Sequence, residues 1–183
     1  MEEKELLHRI QTGNDSAFDY FVNLHREMVY SLCLNMLKSQ MDAKDIMQEV
    51  FLRVYKSIGK FDGKSSLKTW VYRICYNRCL DEIKKKSRFA KLKEAFSYRA
   101  ITFSKQSHTF ERQLISEALG YLNVDDRALL TFYYLEELDL KEISDIMNIN
   151  ENTLKTRLFR ARTKLKEIIE TKYKNEIEDL RYG

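Results

Sequence analysis

The sequence predicts an all-α protein built as two small helical domains joined by a linker. Three observations carry this expectation. The 183 residues include no proline and only five glycines, so little interrupts helices and little would make tight hairpins. Apolar residues recur at helical spacing along two stretches, with a patternless stretch between them. Near the C-terminus, two short helical segments are separated only by Asn148-Ile149-Asn150, the spacing of a helix-turn-helix. Hydrophobic residues make up 44% of the chain, enough for packed cores and against wholesale disorder.

Taken in order, a first helix spans about Glu3 to Thr12 and stops at Gly13. A second starts after Asn14 or Asp15 and runs to about Lys38, with Phe18, Phe21, Val22, Met28, Val29, Leu32 and Met36 at helical spacing. Asp42 is the expected cap of a third, which ends near Ile58. After the loop Gly59–Ser66, Ser65 or Ser66 caps a fourth helix that runs to about Lys86. The first domain is thus placed at residues 1–86. Residues 87–108 form the linker, although the first half of that segment is also compatible with a longer fourth helix. Helical spacing returns at Phe110, Leu114, Ala118 and Leu122, and Asp125 or Asp126 begins another helix through Tyr134. The second domain is placed at 109–171, and the charged tail 172–183 is expected to fray.

Net charge is only +4, but the charges are segregated. Lys84–Lys93 holds six Lys/Arg and no acid, and Lys155–Lys166 holds six more, again without an acid. Acids gather instead in Asp42–Glu49 and Glu136–Asp145. This asymmetry suggests one acidic, protein-facing area and two polyanion-facing areas. No apolar run approaches the ~18 residues of a membrane span. The N-terminus lacks a signal-peptide core, so a cytoplasmic protein with free thiols at Cys33, Cys75 and Cys79 is expected. Enzyme chemistry finds little support. His8, His25 and His108 are scattered, and there is no glycine-rich phosphate loop. Cys75 and Cys79 stand four apart on a helix, but no second ligand pair accompanies them, so no metal or other cofactor is expected.

Three surfaces are candidates for function. In the last helix, Leu154, Leu158, Ala161 and Leu165 share a narrow arc. Asn152, Lys155, Thr156, Phe159, Arg160 and Thr163 lie opposite it. Those are side chains suited to a major groove, with Arg or Lys for guanine and phosphate, Asn for adenine, and Thr or Phe for a thymine methyl. A solvated basic helix is the plainer reading, and the acid-free cation cluster favours DNA. In the third helix, Ile46, Val50, Val54 and Ile58 point inward, while Asp45, Gln48, Glu49 and Leu52 share the reverse face. An apolar anchor in a polar rim suits a protein contact, but on spacing alone a stray exposed leucine is the simpler and favoured reading. In the fourth helix, Leu67, Val71 and Ile74 read as core, which places Thr69, Tyr72, Arg73 and Tyr76 outside beside Lys68. Rings among cations suit unpaired bases, and the polar loop Asp62–Ser66 can receive an extruded one. Packing of both tyrosines beneath another part of the chain stays open. Trp70 reads as mainly structural, and Arg78 points into the core stripe, where it must snorkel or meet a carboxylate.

These residues resemble a known family. The run Asp42–Lys86 is similar to region 2 of sigma factors in their extracytoplasmic-function (ECF) form. Asp45, Gln48, Glu49 and Phe51 fit D-x-x-Q-E-x-F, and Phe61, Ser65, Ser66, Thr69 and Trp70 fit F-x-x-x-S-S-x-x-T-W. The run Leu140–Ile168 resembles region 4, with T-[VL]-K-x-R-L-x-R-A-[RK] at Thr153–Arg162. The chain length leaves no room for the extra domains of housekeeping sigma factors. The resemblance implies a sigma factor, not an enzyme, that binds core RNA polymerase and promoter DNA. It assigns Asp45, Gln48, Glu49 and Leu52 to the clamp helices of the largest polymerase subunit. It assigns Lys64, Ser65, Ser66, Lys68, Thr69, Tyr72, Arg73, Tyr76 and Asn77 to reading and opening the −10 element. Asn152, Lys155, Thr156, Arg157, Phe159 and Arg160 fall to the −35 element, and region 4 also contacts the polymerase flap. Many relatives are held by an anti-sigma factor, which leaves such a partner open here. The linker is expected along the RNA-exit path by analogy. Asn148 replaces the usual turn glycine. Tyr76 and Cys79 stand where many relatives carry small or aliphatic residues, which puts the −10 preference in question. The competing readings are a helix-turn-helix regulator that does not join polymerase, and an RNA-binding or nucleic-acid-processing enzyme.

Overall fold

A computed structural model of the chain describes residues 3–93 and 110–173, which fall into two compact units. The regular structure among the described residues is helical throughout. In the first unit, α1 (Glu3–Gln11) is closed by Gly13 at φ 83°, with the Gly13 N–H on Ile10 O and the Asn14 N–H on Arg9 O, both at 3.0 Å. Glycine takes that left-handed conformation without a Cβ clash. α2 (Asp15–Leu37) follows at once, because the Asn14 side chain accepts from the Ala17 N–H at 2.9 Å. α3 (Gln40–Ser57) starts earlier than expected. Its cap is Ser39, whose hydroxyl accepts from the Asp42 N–H at 3.3 Å, and not Asp42. Asp42 occupies the first turn, where a carboxylate suits the positive end of the helix dipole.

A short 3-10 turn, Ile58–Lys60, leads through the loop to α4 (Leu67–Lys93). Ser66 caps α4, accepting from the Thr69 N–H at 3.0 Å, and the Glu3 carboxylate accepts from the Leu67 N–H at 3.1 Å. The start of α1 therefore covers the start of α4. α4 also continues past Lys86, so the early part of the expected linker is helix. The remainder, 94–109, lies outside the described residues, as does the expected tail from residue 174 onward.

α2, α3 and α4 pack on one another and form the core of this unit. α3 buries Ala43, Ile46, Val50, Phe51 and Val54, as its spacing predicts. α4 does not follow the expected pattern. Leu67 and Val71 are buried, but so are Thr69, Tyr72, Cys75, Tyr76 and Cys79, while Ile74 is only half-buried. At 3.6 residues per turn, the buried arc is centred roughly a quarter turn from Leu67–Ile74, on the side of Cys75 and Cys79. The tyrosines flank that centre, so Tyr72, Tyr76 and Thr69 are core residues and do not form an outward face. The mistake lies in weighing leucine and isoleucine above cysteine, which as a free thiol is among the most buried residue types. The helix is wedged between two neighbours, and its apolar arc is broader than a one-sided helix requires.

In the second unit, α5 (Phe110–Leu119) precedes α6 (Val124–Leu130). Asn123 caps α6 by accepting from the Asp126 N–H at 2.9 Å, so neither expected aspartate is the cap. Arg127 is buried and donates to Leu119 O and Leu122 O, at 3.1 and 2.9 Å. One is the last carbonyl of α5 and the other lies in the turn beyond it, so Arg127 ties α6 to the end of α5. α6 gives way to a wider π-type turn at Thr131–Leu135. α7 (Leu140–Met147) carries a capping box, in which Asp139 accepts from the Glu142 N–H and Glu142 from the Asp139 N–H, at 2.8 and 3.1 Å. Asn148 then takes the left-handed conformation at φ 54°, filling the place of the usual glycine. Asn150 caps α8 (Glu151–Lys172), its side chain accepting from the Asn152 N–H at 2.9 Å.

The burial of α4 has a direct energetic consequence. Tyr76→Ala removes an enclosed ring and should destabilise the protein by about 3–5 kcal/mol. Urea denaturation followed by circular dichroism measures this, and a change within ~0.5 kcal/mol would place Tyr76 on the surface instead.

Candidate nucleic-acid and partner interfaces

The outward face of α3 is the one the sequence suggests. Asp45, Gln48 and Glu49 are exposed, and Leu52 is 59% exposed, although its helix has a well-filled core on the other side. Met41 and Tyr55 are also exposed and continue the same stripe at helical spacing, 41–45–48–52–55. Sequence reasoning missed both, since a methionine before the expected cap and a tyrosine near the helix end carry no periodic signal alone. The face is held in place from behind. Glu49 Oε2 accepts from Arg78 Nε at 2.6 Å, and Arg78 Nη2 lies 3.7 Å from Glu82. Arg78 is thus the inward-leaning arginine that meets a carboxylate. The Glu49 hydrogen bond raises its pKa in spite of burial. Lys86 pairs with Asp42, tying the far end of α4 to the start of α3.

The residues expected at the −10 element separate into two groups. Thr69, Tyr72 and Tyr76 are internal. Thr69 is hydrogen-bonded to the Ser66 hydroxyl at 2.7 Å, and the Lys68 ammonium sits 5.8 Å from the centre of the Tyr72 ring. The cation–aromatic pairing is therefore real but turned inward. Lys64, Ser66 and Asn77 are exposed, and Ser65, Lys68 and Arg73 are half-buried. Arg73 Nε is buried without a hydrogen-bond partner, an uncommon state for a guanidinium N–H. Phe61 packs against Trp70, centroids 5.3 Å apart, and fixes one side of the loop. On the other, Asp62 accepts from the Lys64 N–H at 3.2 Å and pairs with its ammonium at 2.7 Å. Beyond the loop, Lys84, Lys85, Lys86 and Arg88 line the exposed part of α4.

α8 presents its expected face. Leu154, Leu158 and Ala161 are buried, and opposite them Asn152, Lys155, Thr156, Phe159, Arg160 and Thr163 are exposed. Phe159 is 69% exposed, an unusual place for a phenyl ring in a helix with a filled core. Arg157 is the exception in the expected −35 set. Its Nε donates to Asp126 at 2.7 Å and its Nη2 to Asp125 at 3.1 Å, so it fastens α8 to α6. It flanks the arc of Leu154 and Ala161, and the acids thirty residues earlier gave no sequence hint of the pairing. Within this unit Tyr133, Tyr134 and Leu135 are also exposed, on the π-type turn. In the first unit, Cys33 of α2 joins Cys75 and Cys79 of α4 in one buried cluster, which helical spacing within α4 alone could not reveal.

The comparisons with known proteins agree with this division. The Sigma-70 region 2 family matches residues 21–89, and the Sigma-70, region 4 family matches residues 112–165. Fold and faces together define a two-region helix-turn-helix protein of the sigma-70 class. The chain is 30% identical over 182 residues to the ECF RNA polymerase sigma factor SigW of Bacillus subtilis (strain 168), covering 90% of this chain and 95% of that protein. It is 32% identical over 155 residues to SigM of the same organism, covering 83% and 94%. Among solved structures it shares the fold of the sigma factor RpoE in complex with the anti-sigma factor NepR from Bartonella quintana (TM-score 0.74, 19% identity, 85% of this chain and 98% of that one). It likewise shares the fold of CnrH in complex with the cytosolic domain of CnrY (TM-score 0.71, 18% identity, 93% and 98%). The chain belongs to the extracytoplasmic-function family of RNA polymerase sigma factors. Its function is promoter-specific transcription initiation by RNA polymerase, and it is not an enzyme. Among the described residues, no helix is long and apolar enough to cross a membrane.

The Asp42–Lys86 contact gives a pH signature. Burial opposes ionisation of Asp42, but hydrogen bonds from Lys86 and Ser39 outweigh it and hold the carboxyl below its ordinary range. A folded value below the unfolded one means the stabilisation is complete above the unfolded value. It is lost as pH falls through the folded value. The stability difference between wild type and Asp42→Asn should therefore shrink from about pH 5 to about pH 3. Equal urea-midpoint gaps at both pH values would show that the pair contributes nothing.

Proposed function

We propose that the chain uses its two units at separate parts of one initiation complex. The residues 1–86 act as the region 2 module and 109–171 as the region 4 module, with 87–108 connecting them and 172–183 as a tail. Asp45, Gln48, Glu49 and Leu52, extended by Met41 and Tyr55, dock on the clamp helices of core RNA polymerase. Lys64, Ser65, Ser66, Lys68, Arg73 and Asn77 meet the −10 element, where phosphate contacts set the register and base contacts the sequence. Thr69, Tyr72 and Tyr76 shape this surface from beneath. Asn152, Lys155, Thr156, Phe159 and Arg160 enter the major groove at the −35 element, and the exposed Tyr133–Leu135 turn is the proposed flap contact. The observation that carries this reading is the outward face of α8, cationic and aromatic over a buried Leu154–Leu158–Ala161 arc. The protein acts in the cytoplasm, where polymerase and promoters are. An anti-sigma factor belongs among its partners, as with the two solved relatives of the same fold.

Docking is tested by Gln48→Ala with Leu52→Ala. As central contacts they should weaken binding to core polymerase by about 2 kcal/mol or more, with the urea midpoint unchanged because both are exposed. Unaltered binding in a titration with core enzyme removes this face from the interface.

Groove reading is tested separately. Arg160→Ala should cost about 1–3 kcal/mol on its own promoter and relax sequence choice, whereas a phosphate contact would weaken all sequences alike. Intact −35-dependent initiation by an Arg160→Ala, Lys155→Ala protein would mean that another face of α8 meets DNA.

A further inference from the structure

The Cys33–Cys75–Cys79 cluster is used by none of these surfaces. The Cys33 and Cys75 sulfurs are 3.4 Å apart and those of Cys33 and Cys79 3.8 Å, with all three within 4.8 Å of one another. All three side chains are fully enclosed, at the seam where α2 meets α4. Their neighbours along the two helices, Val29, Leu32, Met36, Val71, Tyr72 and Tyr76, are buried as well. Three sulfurs bonded at about 2.3 Å to a common centre stand roughly 3.5–4 Å apart, so the cluster already has the dimensions of a three-sulfur ligand set. It has no fourth arm. Among the described residues, no histidine or carboxylate shares the cluster. Arg78, the cation next to Cys79 in sequence, is engaged by Glu49 and Glu82.

Charge decides which centre fits. Three thiolates around a divalent zinc leave a net negative charge and an empty fourth position, and around monovalent copper they leave two negative charges. An apolar core disfavours either. A trivalent centre is neutral with three thiolates and needs no fourth ligand. We propose that Cys33, Cys75 and Cys79 form a binding site for a trivalent metalloid hydroxide of the arsenous acid class. Three As–O bonds break and three As–S bonds form. Each departing hydroxide takes a thiol proton and leaves as water, so arsenic stays trivalent and no sulfur is oxidised. The reaction starts from neutral thiols. Entry requires local opening of the α2–α4 seam, and the bound centre then pins the two helices together.

The test uses the full chain and arsenite, with zinc and copper(I) as comparison metals. Native mass spectrometry should show one arsenic per chain with loss of three protons, and the thermal midpoint should rise. Cys33→Ala and Cys79→Ala, taken from the two helices, should each weaken arsenite binding about 100-fold or more by removing one arm of the chelate. Circular dichroism checks that each variant folds, and either one suffices. The proposal is overturned if no arsenic binds at millimolar arsenite, or if a folded variant binds as tightly as wild type. It is overturned equally if the midpoint falls, which marks capture of the unfolded chain, or if zinc or copper(I) binds more tightly than arsenite.

Discussion

The first unit depends on the burial of α4 between α2 and α3. A helix with one neighbour needs a narrow apolar stripe, and a helix with two needs close to half its circumference. α4 supplies this with unusual materials, since Leu67 and Val71 share the buried arc with Cys75, Cys79, Tyr72, Tyr76 and Thr69. The tyrosines contribute large apolar area together with a polar end, and the cysteines let the helices approach closely. Other arrangements in the unit follow from that wedge. Arg78 and Lys86, on the flank of α4, reach Glu49 and Asp42 of α3, so the exposed face of α3 is fixed by the same helix that fills its core.

Capping does the corresponding work in the second unit, whose helices are mostly short. Asn123, Asp139 and Asn150 each satisfy an early N–H, Asn148 supplies the left-handed turn, and buried Arg127 donates to two carbonyls at and just beyond the end of α5. Helices of seven and eight residues are marginal in isolation. Here they are held by their ends as much as by their faces. The result is an α8 whose orientation is set by Leu154, Leu158 and Ala161 on one side and by the Arg157–aspartate clamp on the flank.

Much of this was legible in the residues. The helix-turn-helix, the Asn148 turn and the opposed faces of α3 and α8 follow from spacing and residue chemistry. Each is local to one helix or one turn. What was not legible is what depends on a second neighbour. The tilt of the α4 arc, the inward turn of Tyr72 and Tyr76, the pairing of Arg157 with residues of α6 and the approach of Cys33 to Cys75 all involve helices distant in sequence. The family resemblance placed the motifs correctly but could not say which way a tyrosine points. Cap identity slipped at Ser39 and Asn123 for a smaller reason: several cap-competent residues stand close together, and spacing does not choose among them.

The clamp on α8 also limits how the second unit senses salt. Of the acid-free cation run in that helix, Arg157 is neutralised by two aspartates and Lys166 lies 3.6 Å from Glu170. Lys155, Arg160, Arg162 and Lys164 remain in that run with exposed side chains and, among the described residues, no acid on them. Each phosphate neutralised by a protein cation releases condensed counterions, and the logarithm of affinity falls with the logarithm of salt in proportion. Four such contacts set a slope no steeper than about −3.6 for this helix on duplex DNA. For the proposed groove contact, that measure makes the helix a moderate polyelectrolyte ligand, and the exposed Phe159 ring offers it a contact that ionic strength does not erode.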